Sequence, residues 1–161
     1  MTDAPSYVAI VGPGEATQEE EARAEELGRG AAQAGAIVIT GGHGGVMAAA
    51  SRGAADAGGL SVGLLPGGDR RAANPWVRVA IPTGLGELRN GLIVRAADVL
   101  IAVGGALGTL SEVALALKTG VPVVGLMTWD IEGVAPVQTT AEALAEGLRL
   151  AEGRRGVGWQ T

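Results

Sequence analysis

The chain has no cysteine, no phenylalanine and only one histidine, His43. Without cysteine there is no thiol nucleophile and no disulfide, and a single histidine cannot build a conventional Cys/His metal site. Lysine is equally scarce. Lys118 is the only one, and it follows no glycine loop of the form G-x-x-x-x-G-K-[ST], so a Walker-type nucleotide hydrolase is excluded. A pyridoxal enzyme needs a Schiff-base lysine, and Lys118 falls near the end of an expected helix, at the edge opposite the glycine loops. Aromatic residues make up 2% of the 161 residues, so any core must be built from Val, Ile, Leu and Ala. Positive charge is outnumbered, 12 bases against 17 acids, and the net charge of −5 disfavours nucleic acid and anionic membranes as partners. No apolar run approaches the roughly 18 residues of a membrane helix. The segment Met1 to Gly12 lacks the basic start of a secretory signal. The expectation is a cytoplasmic protein.

What is present is apolar surface (47% of residues) and glycine, 28 residues of it. That apolar fraction is too high for a disordered linker, and glycine follows no G-x-y period, which excludes collagen. The length suits one domain spanning residues 1–161. Short β-branched runs read as strands at Tyr7–Val11, Ala36–Thr40, Leu60–Leu65, Val77–Ile81, Val99–Val103 and Val121–Leu126. Helical segments fall between them, at 17–34, 46–57, 86–97 and 109–119, with a last one at 140–151 and a loose tail over 152–161. Thr17-Gln-Glu-Glu20 has the form of a capping box, and Gly35 is a natural helix stop. The alternation predicts a three-layer, Rossmann-like α/β fold: a doubly wound, mainly parallel sheet with helices on both faces. In such sheets ligands bind outside the carboxyl ends of the strands, where the glycine clusters fall.

Three glycine loops precede helices: Gly12-Pro-Gly14, Gly41-Gly-His-Gly-Gly45 and Gly104-Gly-Ala-Leu-Gly108. Backbone N–H groups at such helix starts suit an anion, although tight strand-to-helix turns favour glycine in any case. Three loops on one edge point to a phosphate or nucleotide ligand. An NAD-binding site is not expected, because the first loop lacks the third glycine of G-x-G-x-x-G and no acid follows the second strand. Thr109-Leu-Ser-Glu112 reads either as a second capping box or as a catalytic pair. Arg89 lies in a first helical turn, where its charge opposes the helix dipole. Such a position suggests an anionic partner, either Glu112 or a ligand phosphate, the alternative being an ordinary surface arginine.

The stretch Gly104-Gly-Ala-Leu-Gly-Thr-Leu-Ser-Glu112 resembles the PGGxGTxxE signature of the LONELY GUY (LOG) proteins, which are Rossmann-like phosphoribohydrolases. Arg89 and Asp98 reproduce the separation of that family's arginine and aspartate, and Gly41–Met47 resembles its second loop. Pro82-Thr83-Gly84 falls where the segment before the arginine belongs. The IPTGxGExRN and GTLSE patterns are most similar to a bacterial branch related to the DNA-processing protein DprA and to molybdenum-cofactor carriers. Gly104 stands where the signature has proline, Ala106 where it has its second glycine, and Asn90 where a lysine usually follows the arginine.

The resemblance implies a phosphorylated small-molecule ligand, a nucleotide or a molybdopterin-type compound, with no other cofactor required. Its implied ligand contacts are Gly12, Gly14, Gly42, His43, Gly44, Thr83, Asn90, Gly104, Gly105, Gly108 and Thr109, with the last loop holding a phosphate. Arg89 and Glu112 would then cleave the N-glycosidic bond of a nucleoside 5′-monophosphate, Glu112 acting on the ribose or the attacking water. The alternative is a non-catalytic carrier or sensor in which Arg89 and Asn90 clamp the ligand. The family likeness also implies a homodimer or homotetramer.

Overall fold

The computed structural model describes residues 4–155. Seven strands form one sheet: β1 (Tyr7–Val11), β2 (Ile37–Thr40), β3 (Ser61–Leu65), β4 (Val79–Pro82), β5 (Val99–Val103), β6 (Val123–Leu126) and β7 (Val134–Val137). Their spatial order is β4-β3-β2-β1-β5-β6-β7, and every adjacent pair is parallel. The helices are α1 (Gln18–Gln33), α2 (Val46–Asp56), α3 (Asn90–Ala96), α4 (Leu107–Thr119) and α5 (Thr140–Arg155). The doubly wound α/β expectation therefore holds. The strand order reverses between β1 and β5, which opens a crevice at their carboxyl ends.

Alternate residues of each strand face opposite helical layers, as the two-residue period of a strand requires. Val8, Ile10, Val99, Ile101 and Val103 pack with Leu27 of α1, Val46 of α2 and Ala143 of α5. Ala9, Val11, Leu100 and Ala102 pack with Ile93 and Val94 of α3 and Val113 of α4. Each wholly buried Leu or Ile contributes about 1.5–3 kcal/mol of hydrophobic free energy. Small residues do the rest. A Cβ on Gly28 would overlap the Ala50 carbonyl, and one on Gly53 would overlap the Glu25 carbonyl, so α1 and α2 approach backbone to backbone. Glu25 clamps the pair from outside, bonded to Arg29 at 2.7 Å and Arg52 at 2.6 Å.

The capping box at Thr17 forms as expected: Glu20 N–H donates to Thr17 Oγ1 at 3.2 Å, and Thr17 N–H donates to Glu20 Oε2 at 2.7 Å. Three details differ from the sequence reading. An edge strand, β7, lies in a segment to which the sequence reading assigns no element; it carries Pro136, which an edge position tolerates. The segment expected as one helix from Gly86 starts as a 3₁₀ turn, Gly86–Arg89, before α3. The expected loose tail begins too early, because α5 runs on to Arg155. There Arg154 and Arg155 are held by the carbonyls of Gly120 and Ala4, and basic residues complement the helix dipole. Residues 156–161 lie outside the described residues.

Candidate functional site

A cleft of about 160 Å³ opens where the strand order reverses. Its walls come from the ends of β1 and β2, the β5–α4 turn, the 3₁₀ turn and the starts of α2, α3 and α4. Val11 ends β1 and Gly12–Gly14 follow it, Gly41 follows β2, and Ala106, Gly108, Thr109 and Glu112 belong to the β5–α4 turn and α4. Glu87, Arg89 and Asn90 close it from the 3₁₀ turn and α3. Seven of the residues expected from the sequence thus meet in one place: Gly12, Gly14, Arg89, Asn90, Gly108, Thr109 and Glu112.

Helix α4 starts at Leu107, three residues earlier than the capping-box reading required. Thr109 is therefore the third residue of the helix rather than its cap, and its hydroxyl accepts from Ala106 N–H at 3.3 Å. The amides of Leu107, Gly108 and Thr109 belong to the first turn, where N–H groups have no partner within the helix. Glu112 is freed from capping. It is 7% exposed, and among the described residues no hydrogen bond or ion pair reaches its carboxylate. Burial raises its pKa from 4.5 to about 7; Arg89 opposes that rise and Glu87 adds to it.

Arg89 is also 7% exposed, and it points across the cleft to the opposite strand ends. Its Nη1 donates to the carbonyls of Gly41, at 2.6 Å, and Leu64. The expected anionic partner is thus replaced in part by two carbonyl dipoles at the ends of β2 and β3. A Cβ on Gly41 would lie 2.5 Å from that nitrogen, so this glycine makes room for the guanidinium. Arg89 Nε is buried with no hydrogen-bond partner. A buried donor of that kind is costly unless something completes it. Burial lowers the Arg89 pKa, while Glu112 and Glu87 oppose the drop, and a guanidinium remains cationic at neutral pH. Asn90 donates to Ser111 Oγ at 2.9 Å, tying α3 to the first turns of α4.

The remaining expected residues lie outside the cleft lining. Gly42 N–H donates to Thr40 Oγ1 at 3.1 Å, and its carbonyl accepts from Asn74. His43, near the cleft mouth, feels both Arg89 and Glu87; burial and then Arg89 lower its pKa. Gly44 approaches the Gly14 carbonyl. The start of α2 is closed, because Val46 N–H donates to Pro13 O at 3.1 Å. Thr83 donates to the Leu65 carbonyl at 2.6 Å and so pins β4 to β3. Gly104 has φ +63° and lies against the Glu20 carboxylate, while Gly105 lies against Trp129. Asp98 sits at the far edge, accepting from Tyr7 N–H at 2.8 Å. Sequence reasoning missed Glu87 and Met47 as cleft residues. Glu87, two residues before Arg89 in the same turn, carried the only available signal.

Comparison with known proteins bears on the fold and the family. A solved molybdenum-cofactor-binding protein from Rippkaea orientalis is 38% identical, covers 92% of this chain and 98% of its own, and superposes with a TM-score of 0.86. The molybdenum cofactor carrier protein of Chlamydomonas reinhardtii is 35% identical over 92% of this chain and 99% of its own, with a TM-score of 0.85. An uncharacterized protein of Archaeoglobus fulgidus is 40% identical over 138 residues, 85% of this chain and 91% of that one. The LOG-like resemblance read from Gly104–Glu112 finds its specific form in residues 5–152, which match the SLOG cluster4 family from β1 through most of α5, and the chain belongs to that family.

Proposed function

We propose that this protein is a non-catalytic carrier of a phosphorylated pterin of the molybdenum-cofactor type, held by its phosphate in the cleft between β1 and β5. The observation that carries the reading is Arg89. Its guanidinium is fixed by two backbone carbonyls, yet it keeps a buried, unpartnered Nε in a cleft that also receives the first-turn amides of α4. A phosphate oxygen supplies the missing acceptor, and a helix start supplies further donors. The similarity to two molybdenum-cofactor-binding proteins supports the pterin as ligand class.

Hydrolysis of a nucleoside 5′-monophosphate is the second reading, favoured by the presence of Arg89 and Glu112 in one cleft. Its chemistry requires an ionised, oriented carboxylate. Here neither an ion pair nor a hydrogen bond joins Arg89 to Glu112 among the described residues, so the arginine does not orient the carboxylate. The carrier reading fits these facts better.

A homo-oligomer is part of the proposal. The helical layer of α3 and α4 exposes Leu88 (79%), Leu107 (84%), Leu92, Leu110 and Leu115, an apolar surface suited to a second copy. Among the described residues no helix is long and apolar enough to cross a membrane. We place the protein in the cytoplasm, and the net charge of −5 argues against nucleic acid as its ligand.

Purification from cells that make the cofactor, followed by oxidation and pterin fluorescence, tests the reading. The expected result is a stoichiometric phosphorylated pterin and no adenine released from AMP. Catalytic release of adenine without bound pterin would overturn it.

A further inference from the structure

We propose that the cleft at the end of β6 is a second subsite, one that stacks a planar fused heteroaromatic ring against Trp129. The inference rests on the carrier reading for the ligand's identity, but the subsite stands on its own geometry. A cavity of about 410 Å³ lies at the carboxyl ends of β6 and β7, on the same edge as the phosphate cleft. Met127, Thr128, Trp129, Asp130, Ile131 and Gln138 line it.

Three consecutive residues there are unusual. Met127 has φ +57°, the only non-glycine residue with positive φ among those described. Backbone strain of this kind persists only where surrounding structure enforces it, and it gathers at ligand sites. Thr128 carries a buried hydroxyl with no hydrogen-bond partner. Trp129 is 40% exposed in a chain with 2% aromatic residues. Of the other two tryptophans, Trp76 is occupied by Arg52, whose guanidinium carbon lies 5.2 Å from the ring centroid, and Trp159 lies outside the described residues.

The β5–α4 loop connects the surroundings of the two cavities. A Cβ on Gly105 would come within 2.8 Å of three indole carbons of Trp129, so only glycine lets the ring lie this close to the loop. Ala106, the next residue, lines the phosphate cleft. Consecutive Cα atoms are about 3.8 Å apart, so a ligand with its phosphate on the α4 amides has its ring within reach of the indole. The Gly104 amide donates to Leu126 O at 3.1 Å, which holds the end of β6 against the loop. An indole gives a fused ring a stacking surface. Specificity for a planar ring, pterin or purine, is then set in this second cavity.

The test separates ring from phosphate. A Trp76→Phe/Trp159→Phe protein keeps Trp129 as its sole tryptophan, and its emission is followed on titration with 6-hydroxymethylpterin, which has no phosphate. Equilibrium dialysis with the same compound compares the full-length chain with Trp129→Leu, and calorimetry with inorganic pyrophosphate reads the anion cleft. Saturable quenching is expected, with about a tenfold loss of pterin affinity in Trp129→Leu and unchanged pyrophosphate binding. Absence of saturable quenching overturns the subsite. So does an equal loss of pterin and pyrophosphate in Trp129→Leu, which would make the indole a brace for Gly104–Gly105. Pterin binding through Trp129 without any pyrophosphate binding supports the subsite and instead overturns the phosphate anchoring on which the carrier reading depends.

Discussion

Glu112→Gln isolates the electrostatic state of the cleft. The carboxyl is 7% exposed, and burial raises its pKa from 4.5 to about 7. A raised carboxylate pKa means that the folded chain holds a proton which the unfolded chain has released. Below pH 4.5 both states are protonated, and this group adds no pH dependence. Between pH 4.5 and about 7 the unfolded chain alone ionises, so stability falls as pH rises. The loss levels off above the folded value. The whole interval corresponds to about 3 kcal/mol. Glutamine keeps the shape and cannot ionise, so the variant escapes the loss. Urea unfolding of both proteins from pH 4.5 to pH 8.5 measures the difference. The stability of Glu112→Gln relative to wild type should rise by about 3 kcal/mol across that range. Parallel pH profiles for the two proteins would show that the carboxylate is adequately solvated or paired, and would refute the reasoning.

Arg89→Met should cost about 2–3 kcal/mol in denaturant unfolding, because the Gly41 and Leu64 carbonyls lose their buried donor, and it should abolish pyrophosphate binding measured by calorimetry. The same change removes the cation that restrains Glu112, so the midpoint of the pH-dependent stability loss should move upward. Gly28→Ala forces a methyl group into the Ala50 carbonyl and should destabilise by about 1–3 kcal/mol or more, whereas Gly153→Ala, in open space on α5, should stabilise by up to ~1 kcal/mol; thermal melts check both. Leu88→Glu combined with Leu107→Glu should lower the mass measured by light scattering to that of one chain, since both leucines are largely exposed.

Where a letter carried its own structural consequence, the sequence was readable. The β-branched runs, the Thr17–Glu20 box and the glycine clusters at strand ends located the sheet, α1 and the edge on which the cleft opens. β7 escaped because its residues are only half-buried and Pro136 interrupts the pattern, both properties of an edge strand. Of the two readings of Thr109-Leu-Ser-Glu112, the capping box fails because Ala106, which has no capping side chain, occupies the cap position. Arg89 was foreseen as the central cation, but its partners were not. Backbone carbonyls of Gly41 and Leu64 accept its hydrogen bonds, and a carbonyl is common to every residue type. Met127 and Thr128 gave no warning either, since positive φ and an unpaired hydroxyl arise only from the path of the folded chain.

The positive φ at Gly104 means that this loop cannot be converted into the LOG-type signature by a single exchange. Proline, which the LOG-type signature has at that position, holds φ near −65°, on the opposite side of backbone space from +63°. Restoring it would require the chain to swing away from the Glu20 carboxylate and from the amide contact with Leu126, unseating the start of α4 in the process. Gly104 therefore marks a separate backbone route to the same helix start, and residues around it should be transplanted between relatives only as a block that includes Glu20 and Trp129.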